Sequence, residues 1–461
     1  MKSRYFCLVL ALTSFIPLTA LDTVHAEAVR IATFQVDASP PIGSMLAYVP
    51  TKGVEAPLSF RGVIIDANET YVLCAVDWIG VSSESQTRFK KAIAEAVGTE
   101  PEYVLVHALH QHDAPRCDET TLALLREFNL PTQHYDGEFI ADVRKRAAAA
   151  AKHASAAMTV VTHLGTSEAE IEKVASNRRI LGEDGKVKYV RYTATADPAI
   201  RAHPVGVIDP MCKAISFWNE DKPLVVMTYY ATHPQSYYRT GLANPDFPGI
   251  ARNMVEQESG TFHIHFNGAG GNIGAGKWND GAHKNRMILA NRVADGMREA
   301  FQTTKRIKLE PSDVSLASVD VQLPINPHVQ ESELLETLND PKSDEARIFV
   351  AARYLAWLRR CEAEDKIAIQ CLNLGPARVM HMPGELFVEY QLAAQQMRPD
   401  LFVAMAAYGD YAPGYIGTEV SYSQGGYETS VTASRVSSRV EKVLFDAMHM
   451  LLMTDSPPNK D

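Results

Sequence analysis

The chain has 461 residues, 46% hydrophobic and 22% charged, with 27 glycines and 25 prolines. This is ordinary globular usage; it excludes collagen-like, low-complexity and wholly disordered chains and allows a core large enough to need no disulfide staples. A formal charge of −10 and the lack of any Lys/Arg cluster leave no electrostatic basis for nucleic acid or an anionic membrane surface as partner.

At the N-terminus, Lys2 and Arg4 precede an apolar run from Tyr5 to Leu18, and Val24-His25-Ala26 offers the pattern a signal peptidase reads. Residues 1–26 are therefore expected to be a signal peptide, cleaved before Glu27, and the mature protein to be periplasmic or secreted. The run is shorter than the ~20 apolar residues of a membrane span and no later segment comes close, so no transmembrane span is expected. Cys7 leaves with the signal. Of the remaining Cys74, Cys117, Cys212, Cys361 and Cys371, the last two are spaced so that they could pair.

Residues 27–461 contain no internal repeat in sequence and no Pro/Ser/Gly-rich linker, and are expected to form one domain. Val29 to Val36 reads as a strand, and Gly62 to Asp66 with Tyr71 to Asp77 as a hairpin around Ala67-Asn68-Glu69. Ser83 to Val97 has helical periodicity, with Ser83 and Gln86 at capping-box spacing and Gly98 as C-cap. Tyr103 to Leu109 is strand-like. Further strands are predicted at Leu224 to Ala231, Phe262 to Phe266, Ala377 to Met382 and Phe402 to Ala407. Helices are predicted near 136–153, 247–258, 283–301, 342–360, 386–397 and 433–453. Strands alternating with helices predict an α/β fold of mixed sheets flanked by helices.

Several segments carry residues with chemistry. In Tyr103-Val-Leu-Val-His-Ala-Leu-His110-Gln-His112, strand alternation lets His110 and His112 project together from the strand end while His107 faces the other side, a pairing that suits a metal or a solvated polar strand end. His263-Ile-His265 has the same spacing and is a rival pair. His233 ends an apolar strand before Pro234, at a sheet edge where α/β proteins bind ligands. Glu385, after Pro383-Gly384, sits at a strand-to-helix corner, where it could serve a site or pair with the helix N-terminus. Gly271 to Lys277 fits the spacing of a phosphate-cradling loop, but Trp278 stands where Ser or Thr would hold magnesium; a loop whose glycines let backbone N–H groups approach a substrate oxygen, or a tight turn, is the favoured reading.

Taken in order, His110-Gln-His112, Asn177-Arg178, Thr232-His233-Pro234, Asn267-Gly-Ala-Gly, Pro383-Gly-Glu385 and Tyr415 followed by Tyr427 resemble the catalytic domain of neutral, non-lysosomal ceramidases, as do Asp37-Ala-Ser-Pro-Pro-Ile-Gly and Cys74-Ala-Val-Asp77. The resemblance spans roughly residues 29 to 450. It implies a zinc ion held by His110, His233, Glu385 and Tyr415, with His112, Arg178, Asn267 and Tyr427 lining the reaction centre. Zinc lowers the pKa of a bound water toward ~7 and polarises a carbonyl, which suits hydrolysis of an amide in a lipid or other small molecule and a place in sphingolipid metabolism. Two positions depart from the family: Asn267 replaces a Ser, and Asp113-Ala-Pro115-Arg116-Cys117 replaces a Gly-Pro-Gly-Gly loop. No room is left for the family's C-terminal immunoglobulin-like domain. Ceramide is therefore expected to be a weak substrate beside another amide or an ester. The alternatives are a non-catalytic lipid- or carbohydrate-binding protein on the same fold, an esterase, and a phosphoesterase, the last disfavoured because the ligand set has one carboxylate rather than several.

Overall fold

The computed structural model describes residues 27–453; the expected signal peptide lies outside them. Three four-strand units follow one another, each built the same way. In the first, Arg30–Asp37, Ser59–Asp66 and Thr70–Val76 form an antiparallel meander, the helix Glu84–Val97 crosses over, Val104–Ala108 pairs parallel to the third strand, and the helix Gly137–Ser155 closes the unit. The second repeats this with His163–Glu170, Met211–Asn219, Lys222–Tyr230, helix Asp246–Ser259, Phe262–Asn267 and helix Lys284–Gln302. The third uses Val314–Val321, Ile367–Leu374, Ala377–His381, helix Val388–Met397, Phe402–Ala406 and helix Val440–Met453. Short strands at Thr159–Val160 and Lys305–Lys308 extend the first two sheets. The expected α/β fold of mixed sheets flanked by helices is thus present, but as a threefold structural repeat that the sequence does not reveal.

The sheets bury one face against each other. Val63, Leu73 and Leu105 from the first sheet, Ile215, Val225 and Ile264 from the second, and Leu372, Val379 and Ala404 from the third belong to one apolar core. In each unit the closing helix covers the outer face, packed on the crossover helix and the first strand. The C-terminal ends of the third and fourth strands in all three units point toward a common centre, where α/β folds place ligands.

Main-chain and side-chain hydrogen bonds join the three fourth-strand ends. Ala108 N–H donates to Tyr408 O at 3.0 Å and Ala407 N–H to Asn267 O at 2.9 Å. The Asn267 side chain closes the circuit with a long contact, Nδ2 to Leu109 O at 3.5 Å.

Local expectations fare unevenly. The hairpin forms with Asp66 opposite Thr70, and Gly98 caps its helix in the left-handed region (φ 77°). The capping box does not form. Ser83 itself is left-handed (φ 50°) with its N–H on Asp410, and the Gln86 amide instead donates to the carbonyls of Val81, Val106 and Gly409. The last helix starts at Val440 rather than near 433, because Ser434 lies in a bridge to Gly414 and donates its hydroxyl to Tyr415 O. Cys361 and Cys371 do not pair; all five described cysteines are free and buried.

A buried ion pair ties the first unit to the second just behind the centre. Arg252, 1% exposed, forks onto Asp77, with Nη1 to Oδ1 at 2.7 Å and Nη2 to Oδ2 at 3.0 Å, and Gln111 Nε2 reaches the same carboxylate at 3.3 Å. Burial alone would raise the Asp77 pKa, but Arg252 and Ser59 outweigh it and hold the carboxyl below its ordinary range. Removing one partner of such a pair strands the other's charge and costs about 3–5 kcal/mol. Arg252→Met is therefore expected to lower the folding free energy by about that amount in chemical denaturation; a loss below about 1 kcal/mol would show the pair to be dispensable.

Candidate metal centre

His110 follows the strand Val104–Ala108 by two residues, in a left-handed turn (φ 71°) fixed by its own N–H on Trp78 O at 2.8 Å. Its Nδ1 lies 2.6 Å from Ile79 O. A carbonyl only accepts, so Nδ1 carries the proton and the Nε2 lone pair faces inward, the orientation a carbonyl-braced metal ligand needs. His112 comes back to the same side, its ring 4.9 Å from that of His110, with Nε2 3.0 Å from His233 Nε2 and Nδ1 2.9 Å from the Tyr48 hydroxyl. The two histidines meet as expected, through a turn rather than the strand pleat. His107 points the other way, with Nδ1 on Ala407 O and Nε2 on His381 Nδ1, both at 2.8 Å.

His110, His112 and His233 are buried, and their ligand atoms lie within 4.8 Å of one another, a group able to hold a metal ion. Burial pushes the pKa of His112 and His233 well below 6.5, so both imidazoles are neutral, and of their facing Nε2 atoms, 3.0 Å apart, one donates to the other.

Glu385 brings a carboxylate to the same point. Its Oε2 lies 3.2 Å from His110 Nε2 but meets no hydrogen-bond geometry, leaving a buried oxygen without a donor. The unpartnered Oε2 beside a ring whose Nδ1 carries the proton fits neighbouring ligands of one cation. Burial would raise the Glu385 pKa, but His110, when its ring is charged, and the Tyr411 and Tyr415 hydroxyls carry it below its ordinary value. The carboxylate serves the centre, not the following helix, whose N-cap is Phe387. Tyr415 is its register partner: Glu385–Leu386 and Tyr415–Ile416 form a two-residue parallel pair.

Arg178 Nη1 donates to the Tyr415 hydroxyl at 3.2 Å, and its Nε lies 3.2 Å from Glu428, which is wholly buried and also holds Arg179. The guanidinium sits among the rings of Tyr192, Tyr415 and Tyr427, 5.4–5.9 Å from their centroids. Tyr427 packs edge-on to Tyr415 and is 41% exposed, so it stands at the mouth. Asn267 is placed differently from the expectation that its amide faces the reaction centre. Its Oδ1 accepts weakly from Thr232 N–H at 3.4 Å and its Nδ2 faces Leu109 O, so it braces the segments that carry His233 and His110.

The glycines after Asn267 serve close packing. A Cβ on Gly270 would lie 2.5 Å from Thr232 O, and one on Gly271 2.3 Å from Glu385 O. The phosphate-loop pattern is not one: Lys277 Nζ donates to the carbonyls of Arg201 and His203, and no helix begins until Lys284. The rival histidines are structural, His265 bonding Thr228 and His263 lying 3.3 Å from Ser259. Tyr48, Tyr238, Tyr411 and Glu428 were not singled out by sequence reasoning, since lone tyrosines and a lone Glu carry no spacing signal.

No family model matches the chain, and no curated protein matches it in sequence. Solved structures do. The fold is similar to that of neutral ceramidase. A neutral ceramidase from Pseudomonas aeruginosa superposes with a TM-score of 0.65 at 16% identity, covering 94% of this chain and 76% of that one. A ceramidase complexed with C2 gives 0.65 at 15% identity, covering 94% and 77%. At such identity the likeness speaks for the fold, and the site stands on its own geometry.

Gly270→Ala should push Thr232, and with it His233, out of place. It is expected to lower both thermal stability and metal retention on dialysis; unchanged metal content would show that the glycine does not set the His233 position.

Proposed function

We propose that the protein is an exported zinc-dependent hydrolase that cleaves an amide bond in an N-acyl lipid or related small molecule. The observation that carries this reading is the convergence of residues from three units: His110, His112 and His233 with ligand atoms within 4.8 Å of one another, and the unpartnered Glu385 oxygen 3.2 Å from His110 Nε2. His110, His233 and Glu385 with Tyr415 would hold the zinc, as the resemblance to ceramidases implies. Bound there, zinc would acidify a water and polarise the substrate carbonyl. Burial and the nearby Glu385 push the Tyr415 pKa well above 10, so its phenol keeps its proton until a cation draws it off. His112, whose Nδ1 lies 2.9 Å from the Tyr48 hydroxyl and whose Nε2 faces His233, would serve as the proton acceptor of the reaction. Arg178 and Tyr427 would donate to the oxyanion of the tetrahedral intermediate.

One observation favours a second reading, a binding protein on the same fold: Asn267 braces the backbone and contributes no hydroxyl to the centre. Turnover decides between them. Purified protein is expected to contain about one zinc per chain, lost in His110→Ala and His233→Ala. Retention in both, with loss on cysteine substitution, would contradict the ligand assignment. Arg178→Ala and Tyr427→Phe should keep the metal and slow turnover by roughly a hundredfold each; normal turnover in both would remove them from the mechanism. Ceramide is expected to be cleaved more slowly than other N-acyl amides; equal rates on both would contradict this.

A further inference from the structure

The segment that departs most from the ceramidase pattern builds the entrance to the centre. Asp113 accepts from the Thr240 hydroxyl at 2.9 Å and its N–H at 3.3 Å, and Asp113 O takes Asn244 N–H at 3.1 Å, which fixes the stretch from Arg239 to Asn244. Three residues on, Arg116 Nε and Nη2 donate to Ala47 O at 3.3 and 3.1 Å. Its guanidinium carbon lies 5.6 Å from the Tyr48 ring centroid, and that of Arg239 lies 5.1 Å from the same ring and 5.3 Å from Tyr238. The Tyr48 hydroxyl touches His112, so two guanidinium groups stand one aromatic ring away from the reaction centre.

Their electrostatic situation differs from that of Arg178, Arg252 and Arg286. Arg178 is matched by Glu428, Arg252 by Asp77 and Arg286 by Glu55. Arg116 and Arg239 form no ion pair within 4 Å among the described residues, in a chain whose net charge is −10. Arg239 is moreover held in the left-handed region (φ 66°), which non-glycine residues adopt rarely and mostly where the surroundings impose it. Arg116 lies over Tyr48 with Nε and Nη2 held by Ala47 O and its Nη1 side left over, and Arg239 lies over Tyr48 and Tyr238; guanidinium groups so placed can receive a carboxylate.

We propose that Arg116 and Arg239 read a carboxylate on the substrate, so that the site takes an N-acyl amino acid or a similar anionic amide in preference to a neutral one. This rests on the hydrolase reading for turnover, but not for binding. The test therefore starts with binding: calorimetry of N-dodecanoylglycine and of N-dodecanoylethanolamine, the neutral counterpart, on the metal-replete protein and on Arg116→Gln, Arg239→Gln and Arg239→Lys. The acylglycine is expected to bind at least about tenfold more tightly than the ethanolamide and to weaken with salt. Each Gln variant should lose on the order of tenfold for the acylglycine and distinctly less for the ethanolamide, while Arg239→Lys, which keeps the charge, should fall between. Arg239 is exposed, so its variants are expected to fold, with a thermal melt as control. Equal binding of the two ligands, or equal losses for both, would overturn the proposal. Hydrolysis of the same two amides then separates the readings. Charge-selective, arginine-dependent binding without cleavage of either amide keeps this proposal and sinks the hydrolase; cleavage of both without preference does the reverse.

Discussion

Three strand ends bonded to one another in a ring set the position of everything at the centre. Ala108 is tied to Tyr408, Ala407 to Asn267, and the Asn267 side chain to Leu109, so each unit's fourth strand is held by the next. His110 lies one residue beyond that ring and Glu385 is reached through it, since Tyr408 N–H donates to Gly384 O at 3.1 Å. A buried hydrogen bond contributes only ~1 kcal/mol net, but leaving its donor or acceptor unmatched costs more. The ring can therefore not loosen at one point without exposing unpaired backbone groups at the others. Ligands carried on such a frame need little reorganisation to meet a cation.

The ceramidase pattern changes both on this frame, at Asn267, and outside it. His110 lies one step from the ring, and Glu385 and Tyr415 are confined by their pairing with each other. The segment from Asp113 to Cys117 lies outside the ring, and there the pattern changes to one that anchors the Tyr48 and Arg239 loops.

Much of this was legible in the sequence because the informative residues stand at strand ends. Val104–Ala108 and Lys222–Tyr230 are continuous apolar runs that stop at His and Pro, and a buried strand followed by a polar break marks a sheet edge directly. The strands His163–Glu170, Met211–Asn219, Val314–Val321 and Ile367–Leu374 are not among the predicted ones; the first and third have a partly exposed face that dilutes the apolar signal, and without the four the threefold repeat is invisible. Three units whose lengths and loops differ share backbone pairing, not residue types, and sequence periodicity reports only the latter. Asn267 was placed in the right neighbourhood but given the wrong task, because whether an amide faces a substrate or a carbonyl depends on strands remote in sequence. The Ser83 capping box failed for a similar reason: tertiary acceptors at Val106 and Gly409 claimed Gln86.

The central claim is that ligands from three units share one zinc. It is tested most directly by anomalous diffraction from crystals of the purified protein, recorded on both sides of the zinc absorption edge. The account predicts one peak that vanishes below the edge and lies within about 2.0–2.3 Å of His110 Nε2, a His233 ring nitrogen, a Glu385 oxygen and the Tyr415 oxygen. A zinc peak at the cysteine thiolates, or a zinc-replete protein with no peak among these four residues, would contradict it.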